Sequence, residues 1–197
     1  IPHSGTLIAA THNAGMVREL KALFEPLGLV VKSAIDLDLD EPDETEQTFS
    51  GNALIKARAA CEATGEMALS DDSGLEVTAL GGMPGVHTAI WAGEPREFMM
   101  SMEKVEPLLL ETVSTVRSAR FVCTLAIVWP DGDEALFEGE VKGDLVWPPR
   151  GDRGFGFDPV FVATGETETF GEMDPDRKHA MSHRADAFTK LKAALLP

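Results

Sequence analysis

Cysteine is rare in this 197-residue chain, which contains only Cys61 and Cys123. Two cysteines that do not form a Cys-x-x-Cys pair cannot build a disulfide framework. Hydrophobic runs are short, and none approaches the ~20 residues that a membrane-spanning helix requires. Residues 1–12 lack a basic segment, and their apolar run Leu7–Ala10 is too short for a signal peptide. We therefore expect a soluble, cytoplasmic protein.

Basic residues are also few. The sequence has 17 Lys and Arg against 33 Asp and Glu, which gives a formal net charge of −16 and a pI near 4.6. A protein that binds nucleic acid needs a basic surface to displace the counterions around phosphates, and anionic membranes also attract basic surfaces. The charge balance therefore predicts that neither nucleic acid nor a membrane is a partner.

The composition is otherwise that of an ordinary globular protein, with 44% hydrophobic and 25% charged residues. A chain of this length buries roughly 70% of its unfolded surface on folding, so its core does not need disulfides or metal ions to be stable. The sequence contains no internal repeat, low-complexity tract or Pro/Ser-rich linker. We expect residues 1–197 to form a single compact domain with two lobes.

The spacing of apolar residues predicts an α/β layered fold that opens with a strand, a turn, a helix and a second strand. The predicted strands are Thr6–Ala10, Leu29–Val31, Met67–Ser70, Arg120–Trp129 and Glu134–Lys142, the last two forming a hairpin. The predicted helices are Val17–Leu27, Thr48–Thr64, Arg96–Leu110 and Ser182–Leu196. Residues 147–161 are expected to be rich in loops.

The sequence Asp71-Asp72-Ser73-Gly74 directly follows a predicted buried strand. Adjacent carboxylates are costly to hold together unless a cation compensates them, and ligands of α/β sheets bind at strand ends. A simple polar turn is the competing interpretation, because Asp, Ser and Gly all favour turns. Glu44, within an acidic run at residues 36–46, could add a third oxygen ligand. Oxygen ligands without His or Cys favour Mg²⁺ or Mn²⁺ over zinc.

The sequence Thr11-His12-Asn13-Ala14-Gly15 connects the first predicted strand to the first predicted helix. A short glycine-containing turn there can present backbone N–H groups and a helix N-terminus to an anion. The segment does not have the GxxxxGK[ST] pattern of a P-loop. Taken alone it is weak support for phosphate binding.

The segment Gly154–Pro159 places Phe155 and Phe157 beside glycines. Glycine allows close backbone approach and leaves a ring face open, which suits stacking on a nucleobase. The alternative is that both phenylalanine side chains fill the core.

The segment Lys178–Arg184 combines two histidines and two cations around Ser182, a plausible helix N-cap. It belongs to a basic stretch, residues 177–192. Positive groups at a helix start oppose the helix dipole, and this mismatch is better explained if an anionic ligand binds there. A surface N-cap without a ligand is the alternative.

These segments together resemble the inosine/xanthosine triphosphate pyrophosphatases. The resemblance covers nearly the whole chain and rests on residues 10–13, 48–49, 52–53, 70–75, 81–85, 154–159 and 182–184. It implies an α/β fold of two lobes, with a long mixed β-sheet flanked by helices and a nucleotide cleft between the lobes. It also implies a homodimer and the hydrolysis of ITP, dITP and XTP to the monophosphate and pyrophosphate.

The resemblance further implies roles for individual residues. Glu44 and Asp72 would bind Mg²⁺, Asp72 would also be the base for the attacking water, and Asp71 would assist. The triphosphate-binding turn would be Thr11, His12, Asn13, Ala14, Gly15 and Met16. Further substrate contacts would come from Lys56, Ser73 and Lys178, and the base pocket from Phe155, Gly156, Phe157, Asp158, His183 and Arg184. Polar groups in that pocket would read the 6-keto oxygen of the purine.

Three positions depart from the family pattern. The family turn ends in Lys where this chain has Met16, Glu commonly stands at the position of Gly51, and an aromatic residue with a polar edge is frequent at Phe157. Met16 and Gly51 raise a rival hypothesis, a nucleotide-binding protein with weakened or lost turnover. A second rival is a pyrophosphatase of modified pyrimidine or methylated nucleotides on the same architecture. Met16→Lys is expected to raise turnover, with Gly51→Glu as the next change to try.

Overall fold

The computed structural model describes residues 5–93, 98–154 and 156–195, except for the side chain of Phe98. Its strands are β1 Gly5–Ala9, β2 Leu29–Ser33, β3 Met67–Val77, β4 Ser118–Val128, β5 Glu134–Leu145 and β6 Phe161–Ala163. Its α-helices are α1 Ala14–Phe24, α2 Phe49–Thr64, α3 Thr88–Trp91, α4 Phe98–Glu111, α5 Pro175–Met181 and α6 His183–Leu195. None of the described helices is both long and apolar enough to cross a membrane.

The strands form one mixed sheet of six strands in the order β2-β1-β3-β4-β5-β6. β1 is parallel to both β2 and β3, whereas β5 and β6 are antiparallel. The pairing of β1 with β3 ends at Ala9 opposite Leu69. Asp71 and Asp72 therefore lie on β3 just beyond the last residue of β1. The α/β class and the mixed sheet expected from the sequence are confirmed.

The chain divides into two compact units. The first unit comprises Ile1–Asp72, Thr124–Glu138 and Phe188–Pro197, and the second comprises Ser73–Cys123 and Gly139–Ala187. In the first unit, the small residues of α2 pack with Ile8 and Ala68 into a core of their own. The core of the second unit contains an aromatic cluster in which the rings of Phe121 and Phe161 lie 4.6 Å apart.

Three predicted elements differ from the structure. Helix α1 begins at Ala14 instead of Val17, because the Asn13 side chain caps it from outside. The sequence Asp71-Asp72-Ser73-Gly74 is not a turn after a short strand, because β3 continues through it to Val77. The C-terminal region contains two helices, with Ser182 between α5 and α6. The start of the predicted helix Arg96–Leu110 lies partly outside the described residues.

Candidate active site

The β1–α1 connection is held by its own side chains. Thr11 Oγ1 accepts the Asn13 N–H at 3.1 Å, and Asn13 Oδ1 accepts the N–H groups of Gly15 and Met16 at 2.9 and 3.2 Å. A Cβ on Gly15 would lie 3.1 Å from Asn13 Oδ1, so a glycine there makes room for the cap. Two of the backbone N–H groups that were predicted to bind an anion therefore already donate to the Asn13 side chain.

Met16 does not present its side chain to a ligand. It lies in the first turn of α1 and is 0% exposed, packed within the first unit. Helix α1 begins three residues earlier than the apolar spacing indicated, so Met16 lies in its first turn. The assignment of Met16 to the triphosphate-binding turn stays a prediction.

The carboxylates of the first unit surround a lysine. Lys56, on α2, places Nζ 2.7 Å from Glu44 Oε1, and its side chain is only 12% exposed. Its ammonium also interacts electrostatically with Asp71 and Asp72. Both aspartates are buried. The structure thus brings Glu44, Lys56, Asp71 and Asp72 into one electrostatic cluster.

Asn52 connects this cluster to the segment before α2. Its side chain is buried, its Oδ1 accepts the Glu46 N–H at 2.9 Å, and it is hydrogen-bonded to Asp72. This hydrogen bond lowers the pKa of Asp72, as a donor to the ionised carboxylate does, so the Asn52 amide N–H donates to it. Asn52 was recognised in the sequence only as part of a motif. A buried asparagine on an otherwise alanine-rich helix face is the signal that could have identified it.

The environment of Asp72 favours its protonated form. The pKa of Asp72 is raised to about 7, mainly by burial and also by the charges of Glu44 and Asp71, against the opposing effects of Lys56 and the Asn52 hydrogen bond. Burial lowers the pKa of Lys56, but Asp71, Glu44 and Asp72 outweigh it, so this pKa is raised and the ammonium stays charged. A carboxylate with a pKa near neutrality can take up and release a proton at working pH, as a general base must.

A cavity of about 360 Å³ adjoins this cluster within the first unit. Lys56 lines it together with His12, and its floor is formed by small apolar side chains such as Ala10 and Ala60. His12 Nδ1 lies 3.7 Å from Glu41 Oε2, which belongs to the acidic segment on the same cavity wall.

The second unit contains the other predicted site residues. Lys178 forms an ion pair with Asp158, whose side chain is buried. The Lys178 Nζ also lies 5.8 Å from the centroid of the Phe170 ring. Gly154 has φ +72°, and a Cβ there would collide with the Asp158 carboxylate.

The Phe157 side chain is 1% exposed in the core of this unit, so the core-filling alternative holds for it. Gly156 is half-buried at φ 63°, whereas Phe155 lies outside the described residues.

His183 stands at the start of α6. Its ring stacks on Phe121 with centroids 5.3 Å apart. Burial and the positive charges of Arg184 and Lys178 lower the pKa of His183 to about 3, so its imidazole is neutral at physiological pH. Ser182 Oγ accepts the Ala185 N–H at 3.1 Å, which confirms Ser182 as the cap of this helix. Ser73 is half-buried on β3, in the part of that strand assigned to the second unit.

The profile of the Ham1 family matches residues 7–194. This chain belongs to the Ham1 family. A protein of Caulobacter vibrioides named dITP/XTP pyrophosphatase is 56% identical over 189 residues, covering 96% of this chain and 97% of the relative. A dITP/XTP pyrophosphatase of Zymomonas mobilis is 51% identical, covering 98% and 92%. The structure of a HAM1 protein from Coxiella burnetii superposes with a TM-score of 0.91 at 33% identity, covering 97% and 98% of the two chains.

The donor set of this Ham1 family member suits magnesium. Within residues 5–93, 98–154 and 156–195, no three His, Cys, Asp or Glu side chains converge on one point as a ready-made cage. Mg²⁺ does not need such a cage, because it is usually held by one or two carboxylates together with water and substrate phosphate. Glu44 and Asp72 are the carboxylates that would hold it, and both interact with the Lys56 ammonium.

The departure at Gly51 also has a structural explanation in this Ham1 family member. A Cβ on Gly51 would lie 2.6 Å from Glu46 Cβ and 2.7 Å from Glu46 Cγ. The stem of Glu46 therefore fills the space that a side chain at position 51 would need. The packing of Glu46 therefore accounts for a glycine at position 51, and Gly51 by itself does not indicate a loss of activity.

Proposed function

We propose that this protein hydrolyses dITP, XTP and ITP to the nucleoside monophosphate and pyrophosphate, and that it requires Mg²⁺. The observation that carries the proposal is the cluster of Glu44, Asp71 and Asp72 around Lys56, found in a chain that is 56% identical to a dITP/XTP pyrophosphatase. Water would attack the α-phosphorus, the bond between that phosphorus and the bridging oxygen would break, and pyrophosphate would leave with that oxygen.

Asp72 would take the proton of the attacking water. The hydrogen bond from Asn52 orients the carboxylate for this role. Glu44 and Asp72 would hold Mg²⁺, which supplies a Lewis acid that neutralises charge on the phosphate oxygens. Lys56 would stabilise the negative charge of the triphosphate.

The second unit would bind the nucleoside. His183, held neutral against Phe121, can donate or accept a hydrogen bond without carrying charge. Arg184 and the Asp158–Lys178 ion pair add polar groups near it in sequence and structure. Donors that face a 6-keto oxygen would be left unpaired by a 6-amino purine, which is the physical basis for rejecting ATP. By its resemblance to the family, the chain is also proposed to act as a homodimer.

The two rivals have less support. Loss of turnover was inferred from Met16 and Gly51, but neither residue removes a member of the carboxylate cluster, and relatives 51–56% identical are named as pyrophosphatases. The pyrimidine enzyme has less support because the relatives with 51–56% identity are named for the purine nucleotides dITP and XTP.

The test is pyrophosphate release from dITP, XTP, ITP, dTTP and ATP, each with Mg²⁺ and with chelator. We expect release from the first three with Mg²⁺ alone, and at least a ~10²-fold preference over ATP. Tight binding of dITP, seen as a thermal shift, without release would favour the binding protein. A preference for dTTP would favour the pyrimidine enzyme. Light scattering of the same sample would test the homodimer.

A further inference from the structure

The position of Lys56 raises a question about how a metal could enter the site. Its Nζ is 2.7 Å from Glu44 Oε1, and it interacts with Asp71 and Asp72 as well. Glu44 is also the carboxylate to which the proposed function gives Mg²⁺. A metal ion bound to that same oxygen would lie close to the ammonium, and the two positive charges would repel each other.

The charges of the cluster indicate what the ammonium does. The Lys56 ammonium lies among three carboxylates, and two of them are only 9% exposed, where water screens charge poorly. A lysine side chain is suited to such a role, because it is a compact charge on a flexible stem and can move by several ångströms without backbone change.

Arg58 provides a contrast on the same helix. It forms a two-bond ion pair with Glu134, at 2.6 and 2.9 Å, and it is exposed. Lys56 is the more buried of the two and faces the cluster. Its environment is therefore not a general property of the basic residues on α2.

We propose that Lys56 is a place-holding cation for the metal: its ammonium balances the carboxylates in the metal-free protein and releases Glu44 when Mg²⁺ binds. This inference rests on the proposed function, because it takes the carboxylates to be the metal site. It follows that Lys56 has two opposite effects. It stabilises the metal-free fold, and it weakens Mg²⁺ binding in the absence of nucleotide because the ion pair must be broken. Once released, the ammonium is available to a phosphate.

The test compares Lys56→Met with Arg58→Met by titration calorimetry of Mg²⁺ without nucleotide and by thermal unfolding in chelator and in Mg²⁺. Lys56→Met is expected to bind Mg²⁺ at least ~10-fold more tightly, since one positive charge close to the dication is removed. Its melting temperature should fall in chelator and recover with Mg²⁺. Arg58→Met should show neither change in Mg²⁺ binding nor a Mg²⁺-dependent recovery. Unchanged or weaker Mg²⁺ binding by Lys56→Met would overturn the inference.

A second variant keeps the test decisive if Lys56→Met does not fold without metal. Glu44→Gln removes the partner of Lys56 and one carboxylate, so it should bind Mg²⁺ at least ~10-fold more weakly. Unchanged Mg²⁺ binding by Glu44→Gln would contradict the exchange. Failure of the proposed function is recognised separately, because wild-type protein would then release pyrophosphate without Mg²⁺ or not at all.

Discussion

At the scale of single residues, Asp72 is the proposed catalytic group whose pKa lies near neutrality. Burial is the main cause of its pKa near 7, which exceeds the ordinary value of an aspartate. Since the folded pKa lies above the unfolded one, ionising Asp72 costs stability as pH rises from about 4 to about 7. This cost is present at pH 8 in the metal-free protein, and a bound cation would offset it.

Asp72→Asn should therefore separate catalysis from stability. We expect turnover of dITP to fall by at least ~10²-fold, as is typical when a general base is lost. The melting temperature in chelator at pH 8 should stay the same or rise, because a buried charge is removed. Pyrophosphate release and thermal unfolding measure the two effects. Asp133→Asn, at an exposed position of the first unit outside the cluster, serves as the control. Near-normal turnover of Asp72→Asn would exclude the catalytic role.

The pair Glu46 and Gly51 yields a second residue-scale prediction. Gly51→Glu should destabilise the protein, because its Cβ would lie 2.6 Å from Glu46 Cβ. We expect a loss of about 1–3 kcal/mol in the free energy of unfolding, as for other overpacked sites.

The double variant Glu46→Gly/Gly51→Glu removes the collision and should recover most of that stability. Urea unfolding of the wild type, both single variants and the double variant forms a double-mutant cycle that isolates the interaction. Additive effects of the two changes would show that the two positions do not compete for space.

At the scale of elements, the turn before α1 combines a cap with a proposed phosphate contact. Asn13→Ala should lower the free energy of unfolding by about 1 kcal/mol, the usual value of an N-cap. Asn13→Asp keeps a capping oxygen and should preserve stability, but its negative charge should raise KM for dITP. Urea unfolding and steady-state kinetics together test both statements. An unchanged KM for Asn13→Asp would show that the turn caps the helix without facing phosphate.

The elements also show what could be predicted from the sequence. Both ends of helix α2 lie where the sequence predicts them. The Thr48 side chain caps its start, and Gly65 adopts the left-handed conformation that ends it. β3 could not be bounded in the same way, since turn-forming residues at 71–74 were kept extended by sheet pairing that is not local in sequence. The start of α1 was missed because Asn13 was taken as part of a turn.

The site residues also divide into those that the sequence predicts and those whose environment depends on the folded structure. The carboxylates and Lys56 could be named from motifs, because their chemistry is visible in the residue types. The burial of Met16 and the packing of Glu46 on Gly51 depend on side-chain directions, which one sequence without a structure does not specify. For this reason the two departures appeared to weaken the site, whereas the structure accounts for both by packing.

At the scale of the whole molecule, stability should depend on pH through His183. Its pKa in the folded protein is lowered to about 3, below the ordinary 6.5, so the unfolded chain binds a proton that the native state does not. Stability is therefore fully retained above about pH 6.5 and falls as the pH decreases toward 3, by up to about 1.4 kcal/mol per pH unit. Carboxylates also titrate over part of this range, so a variant must isolate the histidine.

His183→Phe removes the titrating group and keeps a ring that can stack on Phe121. Between pH 7.5 and pH 5, the free energy of unfolding of the wild type should fall by about 2 kcal/mol more than that of His183→Phe. Urea unfolding at the two pH values measures this difference, and His179→Gln, at an exposed position on α5, should behave like the wild type. Equal acid sensitivity of wild type and His183→Phe would mean that the imidazole gains a proton in the native state. It could then act as a charged group toward the nucleotide, and the proposal that the second unit reads the purine with a neutral histidine would be wrong.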